Sequence, residues 1–490
     1  MTIDALPDDV LLETFDFYLE EDDADEFDHY RSYDEWQTLV HVCRRWRCIV
    51  FASPRRLDLQ LLCTEHRLVN SKTLDIWPTF PIVIDAYDIQ SKEGVINIIA
   101  ALGQRDRVCK IFYYNEQFQD SLLKELAAIG EPFPALTSLE LISFGQDVPV
   151  LPDLFLGGSA PRLRSLNLHG IPYPSIRKLL SSTTDLVRLS LWRIPHSGYI
   201  APKTIVPCLS TLSRLESLDL GFQHPQSRAH RASRYPPPLT RVVFRNLVSL
   251  DFHGNVEYLE DVLSQIETPI LSHSHFSFFN RLVFNTPLLG HFISRTGIFM
   301  TIHTARIKFN SLDVKVILLG QEDMDNHDGE SPKPLQLRIS CKPLDWQLSA
   351  AAQVLNSFLS SLPTLETLEI AVNRGDWQGD IEVTQWLEFL HPFTSVKEMT
   401  LEDEGSVRLV APALQELARE RPTEVLPTLQ ILSLPTIGWP SSGLVANAIE
   451  QFIATRQLYG HPVTVDYRDT ESEDTESEDT ESEDIENEAV

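Results

Sequence analysis

A short apolar pattern, L-x-x-L-x-L, returns along most of this chain and constrains its fold more than any other feature. It occurs as LTSLEL (Leu136, Leu139, Leu141), LRSLNL (Leu163, Leu166, Leu168), LVRLSL (Leu186, Leu189, Leu191), LESLDL (Leu215, Leu218, Leu220) and LVSLDF (Leu247, Leu250, Phe252). It returns as LETLEI (Leu365, Leu368, Ile370), VKEMTL (Val396, Met399, Leu401) and LQILSL (Leu429, Leu432, Leu434), at irregular intervals of roughly 23 to 33 residues. In each copy the last two apolar residues share one face of a short strand and point inward, while the first anchors the turn leading into it. One copy cannot bury that face alone. Stacked copies share a core, which predicts an α/β chain whose residues 131–465 form an irregular solenoid with a curved parallel sheet inside and helices or turns outside. Between Leu263 and Ser340 the triplet blurs, and SHFSFFN, RLVFN, ARIKFN and LDVKVIL read as strands of degenerate repeats.

Before the repeats, residues 1–52 carry two helical patterns. In LPDDVLLETFDFYL, Pro7 suits a first turn, Asp8 and Asp9 favour the positive end of the helix dipole, and Leu11, Leu12, Phe15 and Leu19 recur at helical spacing. In EWQTLVHVCRRWRCIVF, Trp36, Leu39, Val42, Cys43, Trp46 and Ile49 form an apolar stripe, with a break into two short helices expected near His41. The acidic insertion 20–35 is too charged to bury and reads as a solvated loop. Ser53-Pro54 ends the unit, since the residue before proline is pushed out of the helical region. Residues 53–130 read as a mixed α/β linker or N-terminal repeat cap. There LDIWPTFPIVIDAY supplies one or two strands, and EGVINIIAALG and QDSLLKELAAIG supply helices.

The chain closes on DTESEDTESEDTESEDIENEAV, an acidic low-complexity tail (466–490) expected to stay disordered and to carry roughly -12 of the formal charge of -29. Thr470, Thr475 and Thr480 each have a glutamate three places on, a pattern acidophilic kinases favour; the competing reading is a solubilising tail. RYPPPLTR around Pro236 reads as a rigid surface loop rather than a polyproline ligand. DMDNHDGE from Asp323 imitates a calcium loop, but Gly329 falls one place late and Pro334 stands where the bidentate glutamate belongs.

Charge and composition narrow the function. A formal charge of -29 opposes binding to nucleic acid or an anionic membrane surface. No apolar run approaches the ~20 residues of a membrane helix, and MTIDALPDDV lacks a secretory signal's basic start and apolar centre. An intracellular location, cytoplasmic or nuclear, is expected. Cys43, Cys48, Cys63, Cys109, Cys208 and Cys341 form no CxxC pair, so neither a disulfide framework nor a zinc site is indicated. Nucleophile-elbow, Walker, HExxH and GxGxxG patterns are missing, and Cys43 and Cys48 sit on or beside an apolar stripe that raises a thiol pKa. The expectation is a non-enzyme without cofactor or metal.

The N-terminal residues carry a resemblance. LPDDVLLETF, then WQTLVHVCRRWRCIVF followed by SPRRLDLQLLC, resembles the F-box motif as it occurs in a large family of mushroom-forming fungi. WPTFPIVI, FLGGSAPRLRSLNLHGIPYP, IPHSGYI, LGFQHPQSR and EYLEDVLSQIETPIL resemble the same group, so the likeness covers nearly all the chain before the tail. It implies a three-helix F-box followed by leucine-rich-repeat-like units. It also implies docking on a Skp-type adaptor, and through it a cullin-RING scaffold, while the repeats select a protein substrate for ubiquitination. By position, adaptor contact is carried over to Leu6, Pro7, Val10, Leu11, Phe15, Leu39, Val42, Cys43 and Trp46. A unit this small must bury its stripe on something, either the adaptor or the chain's own repeat body. The insertion 20–35 lengthens the link beyond the usual motif, and a longer loop costs little closure entropy.

For substrate capture the pattern names a surface. Residues between the inward leucines face the concave side: Glu140, Asn167, Ser190, Asp219, Asp251, Glu369, Thr400 and Ser433, flanked by His169, Trp192, His253 and Glu402. Their acidity and the anchor Trp192 suggest a basic protein partner, with Glu140, Asn167, Trp192, Asp219, Asp251 and Glu369 as contacts. A merely solvated sheet face is the competing reading. Two other functions fit the chain: a repeat scaffold outside any ligase, and an acidic chaperone of basic proteins acting through the tail.

Overall fold

The computed structural model describes residues 6–20, 36–65, 80–87, 89, 91–115, 121–145, 148–225, 241–279, 284, 286–320, 334–341, 344–359, 362, 364–372, 382–420, 424–436 and 443–468. Nearly all of the acidic insertion, the proline run, the calcium-like stretch and the tail from Asp469 lie outside the described residues. The chain forms two compact units, Met1–Ser274 and His275–Val490.

The first unit begins with three helices: α1 (Asp8–Glu20), α2 (Trp36–Val42) and α3 (Arg44–Ala52). Asp8 and Asp9 occupy the first turn of α1, and the Leu11 N–H donates to the Pro7 carbonyl at 3.2 Å. The expected break falls at Cys43, which adopts extended backbone and caps α3 by accepting from the Trp46 N–H at 3.4 Å. Helix α3 stops one residue before Ser53-Pro54, where the proline rule places the end.

Eight parallel strands follow in the order β1 (Leu61–Cys63), β2 (Ile82–Tyr87), β3 (Val108–Asn115), β4 (Ser138–Ser143), β5 (Ser165–His169), β6 (Arg188–Ile194), β7 (Ser217–Phe222) and β9 (Ser249–Gly254). A small pair, β8 (Val242–Val243) with β10 (Ile266–Glu267), stands apart from this sheet. Helices Lys92–Leu102 and Ser121–Ala128 occur where EGVINIIAALG and QDSLLKELAAIG predict them. The register is continuous: Leu139, Leu166, Leu189, Leu218 and Leu250 are partners across five neighbouring strands.

In the second unit the strand order is β11 (His273–Phe278), β14 (Leu335–Ser340), β13 (Asp313–Gly320), β12 (Ile302–Phe309), β15 (Thr367–Val372), β16 (Glu398–Leu401), β17 (Ile431–Pro435) and β18 (Thr464–Arg468). In both units every triplet residue, including the leading leucine or valine, is 3 % exposed or less. The repeat is therefore a statement about the core, and its burial supplies the main driving force for each sheet.

Two expectations are corrected. Within residues 263–340 the reading of degenerate repeats fails at LDVKVIL: β13 runs antiparallel to both β12 and β14, whereas β11 and β12 pair in parallel with β14 and β15, and nearly all of RLVFN lies outside the described residues. The cause is local. Only Asn310–Leu312 join β12 to β13, and the Asn310 N–H donates to the Asp313 carbonyl at 2.8 Å. A link this short makes a hairpin, since a parallel crossover needs a dozen residues or more. Nor is the sheet of either unit curled into a solenoid. A curl needs like units each adding the same rotation, and connections of unequal length with one reversed strand do not supply it.

Candidate functional site

Two surfaces bear on function: the three-helix module and the outward face of the sheets. Within the module, Leu11 and Phe15 are each 1 % exposed, and Leu39, Ile49 and Val50 are buried with them. The Phe15 ring lies 4.7 Å from that of Trp46. Arg45 pairs with Asp8 and donates to the Leu6 carbonyl at 2.6 Å, and Arg56 pairs with Glu13, which fixes α1 against α3 and the turn after it. Trp36 anchors the module to the sheet, its Nε1–H donating to the Gln60 carbonyl at 2.9 Å and its ring packing edge-on to Phe80 at 5.5 Å.

The expected adaptor residues thus divide. Leu11, Phe15 and Leu39 are interior, Leu6, Cys43 and Trp46 are half-buried, and Pro7, Val10 and Val42 are exposed. Sequence reasoning missed Phe17 and Tyr18, which are 65 % and 43 % exposed on α1. Helical spacing marks the stripe that faces inward, so apolar residues off that stripe are the signal that would have found them.

On the first unit's sheet, Glu140, Asn167, Ser190, Asp219 and Asp251 are register partners in one row across β4, β5, β6, β7 and β9. Part of the row is bonded internally, while one buried carboxylate oxygen of Asp219 has no hydrogen-bond partner among the described residues. Asn167 Nδ2–H donates to Glu140 Oε1 at 3.1 Å. The Asp219 carboxyl is raised above the usual carboxylate range by burial, against hydrogen bonds with Asp251 and Ser190. Asp219 and Asp251 therefore interact with one another within the row.

The outer end of the same sheet is aromatic. Tyr87 and Tyr114 stack at 4.6 Å with 6° between their planes, Tyr114 lies 5.9 Å from Phe144, and Phe144 lies 5.0 Å from His169. Trp192 lies 5.8 Å from His253, its ring covering Gly221 so closely that a Cβ there would sit 2.6 Å from a ring carbon. Burial, reinforced by Arg193, lowers the His169 pKa to about 4, so this imidazole is neutral at physiological pH. The repeat motif stops before these positions, which explains why Tyr87, Tyr114 and Phe144 escaped notice; the glycine after LESLDL is the trace that something large lies over it.

Glu369, the remaining expected contact, belongs to the second unit and is 5 % exposed. Arg306 on β12 pairs with it at 2.6 Å and with Glu402 at 3.3 Å. Beside this pair stands a cationic row that the repeat pattern does not mark. Lys308, Lys315 and Arg338 are register partners on β12, β13 and β14. Its signal was in plain alternation: RIKF, VKV and LRI each place one cation between inward apolar residues.

Burial pushes the Cys63 thiol up to about 12 and Cys109 up to about 11, far from the range of a nucleophile at neutral pH. Among the described residues no group of three or more His, Cys, Asp or Glu side chains is placed to hold a metal, and no helix is long and apolar enough to cross a membrane. No family model matches the chain, and no curated protein matches it.

Proposed function

We propose that the chain is a non-catalytic substrate receptor of a Skp-cullin-F-box ubiquitin ligase: the N-terminal helices dock on the adaptor, and the outward sheet face holds a protein substrate. The observation that carries the reading is the helical module's division of its apolar residues. Leu11, Phe15 and Leu39 supply its interior, yet Val10, Phe17, Tyr18 and Val42 stay on the surface of three short helices. Exposed apolar side chains concentrated on so small a module fit a partner surface, and each large one buried on docking contributes roughly 1.5–3 kcal/mol. For the substrate, the aromatic end around Tyr87, Tyr114, Phe144 and Trp192 is the stronger anchor, because the carboxylates of the neighbouring row are already engaged with one another. A basic partner, expected from the acidity of this row, is therefore the weaker reading for the face.

The test is co-purification of the full chain with a Skp-type adaptor. Val10→Asp with Val42→Asp puts charges on exposed positions, so the variant is expected to fold as the wild type does and to lose the adaptor. Leu11→Asp with Phe15→Asp is the unfolding control, since both sites are interior. Adaptor binding that survives Val10→Asp with Val42→Asp, or a wild-type chain that never binds, would leave a repeat scaffold acting outside any ligase.

A further inference from the structure

The cationic row on the second unit is unusual for what opposes it. Lys308 and Lys315 face each other directly in the antiparallel β12–β13 pair, and Arg338 follows on β14. Like charges opposite one another across a strand pair repel. Arg338 is compensated by Asp313, and Arg306, one step away, by Glu369 and Glu402. Among the described residues neither Lys308 nor Lys315 forms a salt bridge. In a chain of net charge -29, two lysines that form no salt bridge among the described residues thus stand side by side on an outward sheet face, with Lys308 in electrostatic reach of Glu402.

The register shows where an anion would come from. Lys308 partners Ala371 on β15, and on the last strand Pro435 partners Arg468; carried through β16, which ends at the level of Glu402, these positions form one row. Arg468 is the last residue of β18, and the next 22 residues, Asp469 to Val490, contain twelve acidic and no basic side chains. Neighbouring strands lie ~4.8 Å apart, so Lys308 is ~19 Å and Arg338 ~29 Å from the strand where this segment begins. An extended chain of that length reaches ~70 Å. Glu402, which lies along the way, pairs with Arg306 and also interacts electrostatically with Lys308.

We propose that Asp469–Val490 docks in cis on the outward face of the second unit, its carboxylates against Lys308, Lys315 and Arg338. The segment acts as an internal occupant of a polyanion-binding row, and an acidic partner for that row must first displace it. The contact is electrostatic, so it needs no packed core in the segment and weakens with salt. The inference is independent of the adaptor reading, and its test involves no adaptor.

Zero-length carbodiimide coupling of carboxylate to amine in the full chain, followed by peptide mass spectrometry, reads the contact directly. Most coupling of the acidic segment is expected at Lys308 and Lys315, falling about fivefold or more when salt rises from about 50 mM to about 500 mM. In a parallel measurement, acetylation of those two lysines is expected to be several-fold faster in a chain ended after Arg468, with Lys397 and Lys203 unchanged. Coupling spread over surface lysines according to their exposure overturns the proposal. So does coupling found only between two molecules, which would make a second copy the occupant, or equal acetylation in the two chains.

Discussion

Arg456 shows how much a single residue settles in this fold. It lies on the helix Leu444–Leu458, is 0 % exposed, and its guanidinium donates to the carbonyls of Leu426 at 3.1 Å, Pro427 at 3.4 Å and Leu429 at 3.3 Å. Those carbonyls belong to the turn that feeds β17, where Leu426 adopts a positive φ of 48°. Burying a cation is costly, and here its return is the satisfaction of several backbone acceptors of the turn. Arg456→Met is expected to lower unfolding stability by about 3 kcal/mol, and Arg456→Lys by less, since a shorter cation keeps one donor. Urea titration of the full chain measures both; a loss below about 1 kcal/mol for Met would mean that the turn holds without the guanidinium. His169 gives the pH counterpart. The unfolded chain protonates this ring near 6.5, the folded chain only near about 4, because burial and Arg193 disfavour the charge. Its contribution to stability is therefore complete above pH 6.5, is lost as pH falls through the window from 6.5 to about 4, and is constant below. A His169→Phe variant should lose less stability than wild type between those limits. An unchanged pH profile would assign the acid sensitivity to other groups. Neither role was legible from the sequence, where an arginine in TRQL and a histidine in NLHG look like ordinary surface residues.

Elements were legible where periodicity is set by burial and illegible where it is set by a turn. In each L-x-x-L-x-L copy the last two marked residues sit on a strand and the first on the turn before it, and all three are buried, because the strand has an inward face to fill. The antiparallel insertion was read as worn repeats because β12, β13 and β14 show the same alternation as any strand. Only the three-residue link Asn310–Leu312 announces the reversal. The helical module shows the complementary limit: spacing identified its inward stripe, Leu11, Phe15 and Leu39, and the resemblance assigned those same residues to a partner. Burial separates the two roles, leaving Val10 and Val42 outside. Trp36 is the element-scale hinge of this arrangement, since it joins α2 to the start of the sheet through Gln60 and to the ring of Phe80. Trp36→Ala is expected to cost about 3–5 kcal/mol, as for other large-to-small core substitutions, and to loosen the module before the sheet. Hydrogen exchange showing α2 and α3 amides as protected as in wild type would contradict that placement.

At the scale of the whole chain, the division into Met1–Ser274 and His275–Val490 and the neighbour-to-neighbour register predict that stability is distributed locally. In the first unit each strand pairs only with the strands before and after it in the sheet order, and each triplet packs into the layer it shares with them. If the layers contribute as units coupled to their nearest neighbours, damage at one strand is felt there first and fades with distance along the sheet. Leu218 on β7 is 1 % exposed and is the register partner of Leu189 and Leu250. Leu218→Ala is expected to cost about 2–5 kcal/mol. Hydrogen exchange by mass spectrometry should show that loss in β6, β7 and β9, a smaller one in β4 and β5, and near wild-type protection in β2 and β3. Equal loss of protection from β2 to β9 would instead mean that the first unit opens as one cooperative body, and that its sheet behaves as a conventional α/β domain rather than a stack of repeats.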